Sequence, residues 1–197
     1  MLTLGAGGMS QIVEGPEVRT EGDAIVVSSM PNQFQAVITP NSVRFLDKSD
    51  KLPARTDFAA RLVKLAEFIA SENKLSYSAV GINFDIWYRR EADERPSALI
   101  LSRFVSQQAF AATGYDLIGA AVRLWYMARG MRHYIYFEPR GNQHDAPSYD
   151  SHLNVHLDLR DSLPTAKSMA DAIHNEYEDF LRMIEVALEQ PNGGGAQ

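Results

Sequence analysis

The sequence predicts an α+β fold: a curved, mainly antiparallel sheet of about six strands with two to three helices packed on one face. Three observations lead there. Several short runs alternate apolar and polar residues with period two, the mark of antiparallel strands with one covered face. Most links between them are of hairpin length, too short for parallel crossovers. Two longer segments switch to helical spacing, which sets helices against the sheet.

The elements follow in order. Residues 24–29 (AIVVSS), 33–39 (QFQAVIT) and 42–47 (SVRFLD) are β-rich runs, separated by the turn signals Pro31–Asn32 and Pro40–Asn41. A helix comes next, capped near Thr56 or Asp57, with Phe58, Leu62, Leu65, Ala66 and Ile69 recurring at helical spacing through Glu72. The clearest strand runs from Tyr77 to Arg89. It sets Val80, Ile82, Phe84, Ile86 and Tyr88 on one face and Ala79, Gly81, Asn83, Asp85 and Trp87 on the other. Residues 96–113 have helical composition but mixed periodicity, and Gly114 closes them. Residues 117–128 and 131–138 form two aromatic strands joined by Arg129–Gly130, a length and chemistry suited to a tight hairpin.

A polar loop leads to a last strand, His152–Arg160, in which Leu153, Val155, Leu157 and Leu159 alternate with polar residues. A long helix fills 165–189 with the stripe Met169, Ile173, Tyr177, Phe180, Ile184 and Leu188; its other positions are strongly acidic. Residues 1–22 read as a flexible segment, 23–190 as a single domain and 191–197 as a flexible tail.

Composition narrows the chemistry. The 197 residues include no cysteine, which excludes disulfides, cysteine-ligated zinc, iron–sulfur clusters and cysteine nucleophiles. A net charge of −6 argues against a dedicated nucleic-acid binder. That charge is uneven: residues 141–197 hold ten acids and three bases, −7, leaving +1 for residues 1–140. No apolar run approaches the roughly 20 residues of a membrane helix, and the first residues lack the pattern of a secretory signal, so a cytoplasmic location is expected. The chain carries no GxGxxG, GxxxxGK[ST], HExxH or GxSxG motif. No cofactor and no metal is implied.

Four constellations could carry function. The first is the run HDAPSYDSHLNVHLDLRD, with His144, Asp145, Asp150, His152, His156, Asp158 and Asp161, where imidazoles and carboxylates suggest acid–base or metal chemistry. On a strand, however, His152 and His156 stand roughly 13 Å apart and cannot share one zinc. His152 with His144 or Asp145, and His156 with Asp158, stay open as pairs, beside the plainer reading of a half-exposed strand face. Ser151, His156 and Asp158 make a triad only on paper. The second is the hairpin bearing Arg123, Trp125, Tyr126, Arg129, Arg132, Tyr134, Tyr136 and Arg140. Arginines beside rings suit single-stranded nucleic acid or another ligand, but they equally suit cross-strand pairing. This positive surface also complements the acidic C-terminal helix, within one chain or across a dimer. Third, Asp85 and Trp87 share a strand face with Asn83. Asp85 must face solvent, pair with an arginine such as Arg123 or Arg103, or serve a site. The fourth is the acidic side of the last helix, where a solvated face is the usual role.

The segments Gln35–Thr39, Phe58, Tyr77–Phe84 and His152–Asp158, with the closing helix through Ile173, His174 and Phe180, together resemble a sporadically distributed family of uncharacterised bacterial α+β proteins. The resemblance implies the fold class and a bacterial source and carries over no site residues.

The expected function is a non-catalytic module that binds itself, as a homodimer, or another macromolecule. Trp87, Arg123, Trp125, Arg129, Arg132, Tyr134 and Tyr136 are its candidate binding residues. The alternative is a small-ligand binder or enzyme with His152, His156, Asp158 and Asp85 as candidate catalytic groups. A third reading is weak single-stranded nucleic-acid binding through the hairpin.

Overall fold

The computed structural model describes residues 12–49, 51–89, 100, 103–104, 120–139, 148–159 and 162–189. They form an α+β protein in which the strands make two sheets, each of four antiparallel strands, in place of one sheet of six. Two helices longer than a turn or two are present among the described residues, with a 3-10 turn at Pro53–Arg55 and a π turn at Glu185–Glu189. The expected helix at 96–113 lies almost wholly outside the described residues. No helix is long and apolar enough to cross a membrane among the described residues.

The chain divides into two compact units: residues 1–78 with 159–175, and residues 79–158 with 176–197. In the first, β1 (Glu17–Glu21), β2 (Ala24–Ser29), β3 (Phe34–Thr39) and β4 (Ser42–Asp47) form a meander in chain order. Its turns explain its regularity. Gly22, with φ of +63°, opens the two-residue β1–β2 link, where a side chain would be strained. Between β3 and β4, the Thr39 hydroxyl accepts from the Ser42 N–H at 3.1 Å. Phe34, Ala36 and Ile38 alternate inward along β3 and meet Leu65 and Ile69 of α1 (Phe58–Asn73). Asp57 stands at the N-cap of α1, as the sequence suggests, and Lys74 ends the helix in the left-handed conformation.

In the second unit, β5 (Ala79–Arg89), β6 (Val122–Ala128), β7 (Met131–Pro139) and β8 (Ser148–Asp158) pair in the order β5-β8-β7-β6. Arg129 and Gly130 both take positive φ, +50° and +73°, as a two-residue hairpin with the right strand twist requires. Strand alternation then sorts the side chains. Ile135, Phe137, Leu153 and Val155 point to one side and are covered by Phe180 and Ile184 of α2 (Ala166–Ile184), with Ile82, Phe84 and Ile86 packed around them. Phe84 of β5 lies 5.6 Å from the Tyr177 ring and 6.4 Å from that of Phe180.

Because Phe180 is wholly buried in this cluster, Phe180→Ala is expected to cost about 3–5 kcal/mol. Val18→Ala, on the exposed strand β1, should stay within about 0.5 kcal/mol of the parent. Urea unfolding midpoints with unchanged slopes check both.

Candidate functional site

Strand alternation in the second unit makes two faces of opposite character. The residues that point away from the α2-covered core line up across all four strands. Arg123, Tyr136, His152 and Asp85 form one row, and Trp125, Tyr134, Asn154 and Asn83 the next. Met127, Arg132, His156 and Gly81 form a third. Trp87 stands on the same side of β5 beside Asp150 and is 60% exposed, while Trp125 is 72% exposed. The sheet thus brings together the candidate binding residues Trp87, Arg123, Trp125, Arg132, Tyr134 and Tyr136 with the candidate catalytic residues Asp85, His152, His156 and Asp158, leaving out Arg129.

The rows are joined by specific contacts. Trp125 lies 5.1 Å from Tyr134, Tyr134 lies 6.2 Å from Tyr136, and Tyr136 stacks on the His152 ring at 5.3 Å. Nδ1 of His152 donates to the Asp85 carboxylate at 2.7 Å. Asp85 therefore pairs with a histidine across the strands. Arg103, one of the expected partners, donates instead to the carbonyls of Val186 and Ala187. The Asn154 amide donates to Asn83 Oδ1 at 2.7 Å. Nε2 of His156 lies 2.9 Å from Asp158, which also meets Arg132 at 3.2 Å. The His156 hydrogen bond, aided by the charge on Arg132, holds the Asp158 carboxyl below its ordinary value. Ser151 faces the opposite side, buried in the core, so no Ser151–His156–Asp158 triad forms. The pairing of His152 with His144 or Asp145 involves residues outside those described, as does Arg140. Among the described residues, no three histidine or carboxylate groups gather closely enough to hold a metal ion.

Arg129 is the exception. It leaves the open face and reaches α2 of its own chain, donating to Glu176 at 2.6 Å and meeting Asp179 at 2.6 Å. The expected complement between basic hairpin and acidic helix thus forms within one chain. Glu176 is no part of a solvated acidic face: it is 1% exposed, and its second oxygen meets Nε2 of His133 at 2.8 Å. His133 is buried too, and its Nδ1 lies 3.1 Å from the Met131 carbonyl. A carbonyl can only accept, so Nδ1 carries a proton. One further proton is then shared between Nε2 and the carboxylate, whichever atom holds it. Tyr126, named in the sequence with the binding aromatics, turns inward, stacks on His133 at 4.7 Å and reaches the Met183 sulfur. Burial, with the charges of Glu176 and Asp179, raises its phenol pKa above the ordinary value. Sequence reasoning missed Glu176 and His133, although Glu176 falls three residues after Ile173 and four before Phe180, on the apolar stripe.

No protein-family model, curated protein or solved structure matches the chain significantly.

Removing the carboxylate from this buried set strands His133 and half-strands Arg129. Glu176→Ala is expected to destabilise by about 3 kcal/mol in chemical denaturation, the range for breaking one side of a buried ion pair. A second expectation follows from Asp158. Its carboxyl should titrate below the ordinary 3.8 when followed by NMR, and His156→Ala should move that midpoint upward. The contribution of this group to stability is present above the unfolded value and fades as pH falls through the depressed one.

Proposed function

We propose that the protein is a non-catalytic, self-associating module that pairs with a second copy through the open face of β5–β8. The observation that carries this reading is the lengthwise division of the face. Over the three central rows, arginine and aromatic side chains lie on β6 and β7 (Arg123, Trp125, Arg132, Tyr134, Tyr136), whereas β8 and β5 carry amides, imidazoles and a carboxylate (Asn154, His152, His156, Asn83, Asp85); Trp87 and Arg89 of β5 and Glu138 of β7 lie beyond these rows and depart from the pattern. A face divided in this way is complementary to itself. A two-fold axis along the strands lays the β6–β7 half of one copy over the β5–β8 half of the other. Arg123 then meets Asp85 of the second copy, Tyr136 meets His152, and Trp125 and Tyr134 meet the two asparagines. Met127 falls over Gly81, where no side chain stands in the way. The row beyond brings Glu138 opposite Asp150, two like charges, and marks the edge of the contact.

Two further features support this reading over its rivals. Arg89, Arg123 and Arg132 on this face are outnumbered by Asp85, Glu138, Asp150 and Asp158, whereas a stacking platform for single-stranded nucleic acid needs a positive groove. The His152–Asp85 pair has the form of an acid–base dyad, but the Asp85 side chain is 81% exposed, and among the described residues nothing encloses the pair in the low-dielectric surroundings that strengthen such chemistry.

Sedimentation equilibrium at micromolar concentration should give twice the 22.0 kDa chain mass. Arg123→Asp alone and Asp85→Arg alone should each yield monomers, because each sets like charges face to face twice. Mixing the two single variants should restore a heterodimer, since both contacts across the two-fold axis are again opposite in sign. A strict monomer in the parent, or variants that dimerise as it does, would sink the proposal.

A further inference from the structure

The first unit contains a cavity of about 400 Å³ that the sheet-face reading does not use. Its walls come from the turn Pro31–Gln33, the end of β4 at Asp47, the segment from Ser49 through Lys51 and Arg55 to Asp57, and the first turn of α1 at Phe58 and Arg61. We propose that this cavity binds a small phosphate monoester, with Lys51 and Arg55 as the anion-holding groups.

Charge accounting comes first. Among the described residues, three cations, Lys51, Arg55 and Arg61, and two carboxylates, Asp47 and Asp57, line the cavity. Asp57 is committed to Arg61 one helical turn on, and one oxygen of Asp47 accepts the Ser49 N–H at 2.9 Å. Lys51 and Arg55 have no carboxylate partner among the described residues. They are the positive charge left to an incoming anion, and a guanidinium beside an ammonium suits the several oxygens of a phosphoryl group.

An orphaned donor provides the second, independent observation. The Ser49 hydroxyl oxygen is inaccessible to solvent and has no hydrogen-bond partner, yet it belongs to a residue of the cavity wall. Buried hydroxyls are nearly always satisfied, and a turn about the Ser49 Cα–Cβ bond toward the cavity gives this donor an anion oxygen to meet. The end of α1 adds to this. Asp57 occupies the N-cap but makes no side-chain cap bond, its carboxylate being turned to Arg61. The Phe58 N–H donates to Thr56 Oγ1 at 3.4 Å, but the positive end of this 16-residue helix receives no side-chain bond from its N-cap residue.

Size decides what carries the phosphate. The volume lies within the range of about 300–1,000 Å³ typical of small-molecule sites and far exceeds one phosphate ion. Phe58, half-buried and 6.0 Å from the Phe34 ring, provides an apolar wall with Pro31, against which a compact organic body can lie. A phosphorylated sugar or similar small monoester fits both halves of the cavity.

The test uses the full chain, with backbone amide shifts followed by NMR during titration with inorganic phosphate, ribose 5-phosphate and succinate at matched ionic strength. Phosphate should give saturable shifts at Ser49, Lys51 and Arg55, and ribose 5-phosphate should bind more tightly at the same residues. Combining Lys51→Gln with Arg55→Gln should weaken binding by about a hundredfold, a factor of about ten for each charged hydrogen bond lost. Ser49→Ala should weaken it severalfold with the spectrum of the free protein otherwise preserved. Non-saturable shifts, equal affinity for succinate, or a double variant that binds as the parent does would each overturn the proposal. None of these outcomes depends on whether the chain dimerises.

Discussion

A single buried carboxylate, Glu176, determines how the C-terminal unit is put together. Taking a carboxylate out of water is expensive unless charged or hydrogen-bonding partners meet both of its oxygens. Here one oxygen receives Arg129 from the tip of the β6–β7 hairpin and the other meets His133, the third residue of β7. Those two residues belong to different positions of the same hairpin, so the carboxylate can be satisfied only when α2 lies at one place along β7 and in one rotation about its own axis. Phe180 and Ile184 could slide over the apolar face with little penalty, because hydrophobic contact is non-directional. Glu176 removes that freedom.

The open face follows from that constraint. Once α2 covers the side bearing Ile135, Phe137, Leu153 and Val155, the period-two alternation of the strands leaves everything at the intervening positions outside. A one-residue slip of β8 would exchange His152, Asn154 and His156 for Leu153 and Val155, so the buried cluster holds the polar ladder in register. The ladder reinforces it in turn, through His152–Asp85 and Asn154–Asn83 across the β5–β8 pair. The cross-strand order of Arg123, Tyr136, His152 and Asp85 is thus a consequence of core packing on the other side of the same sheet.

How much of this could be read from the sequence depended on whether the signal was local. The β5 strand and α1 were legible because each repeats its period over several turns or residues, and Arg129–Gly130 was legible because a two-residue hairpin demands such chemistry. Strand β1 was not, since all five residues of EVRTE are exposed and no alternation marks them. The number of sheets was not, because period two shows that a strand has a covered side and not which strand lies beside it. Glu176 was counted among the acids of a solvated face because charge was weighed there and position was not. Its spacing from Ile173 and Phe180 placed it on the buried stripe, and only a general match between the basic hairpin and the acidic helix was legible, not its pairing with Arg129. At the candidate face the residue types were legible, while their assembly into rows required the register of three strand pairs separated by up to some seventy residues in sequence.

The charge asymmetry of the chain also takes on a different meaning. An excess of acid in residues 141–197 suggests an acidic surface, yet several of those acids act as internal counter-charges. Glu176 and Asp179 bind Arg129, and Asp158 binds Arg132 and His156. Two of the bases, Arg129 and Arg132, come from the near-neutral body of the chain, so there the two portions of the sequence compensate each other in space; His156, and Arg182 beside Asp179, belong to the acidic portion itself. What remains on the open face is a small net charge spread over an exposed aromatic surface. Large contiguous exposed apolar patches are uncommon on monomers and usually mark an interaction site. Here Trp125, Tyr134 and Tyr136 lie on the two strands that also carry Arg123 and Arg132, with Asp85, Asp150 and Asp158 across the sheet. The proposed pairing with a second copy rests on that complement between the two halves of the face.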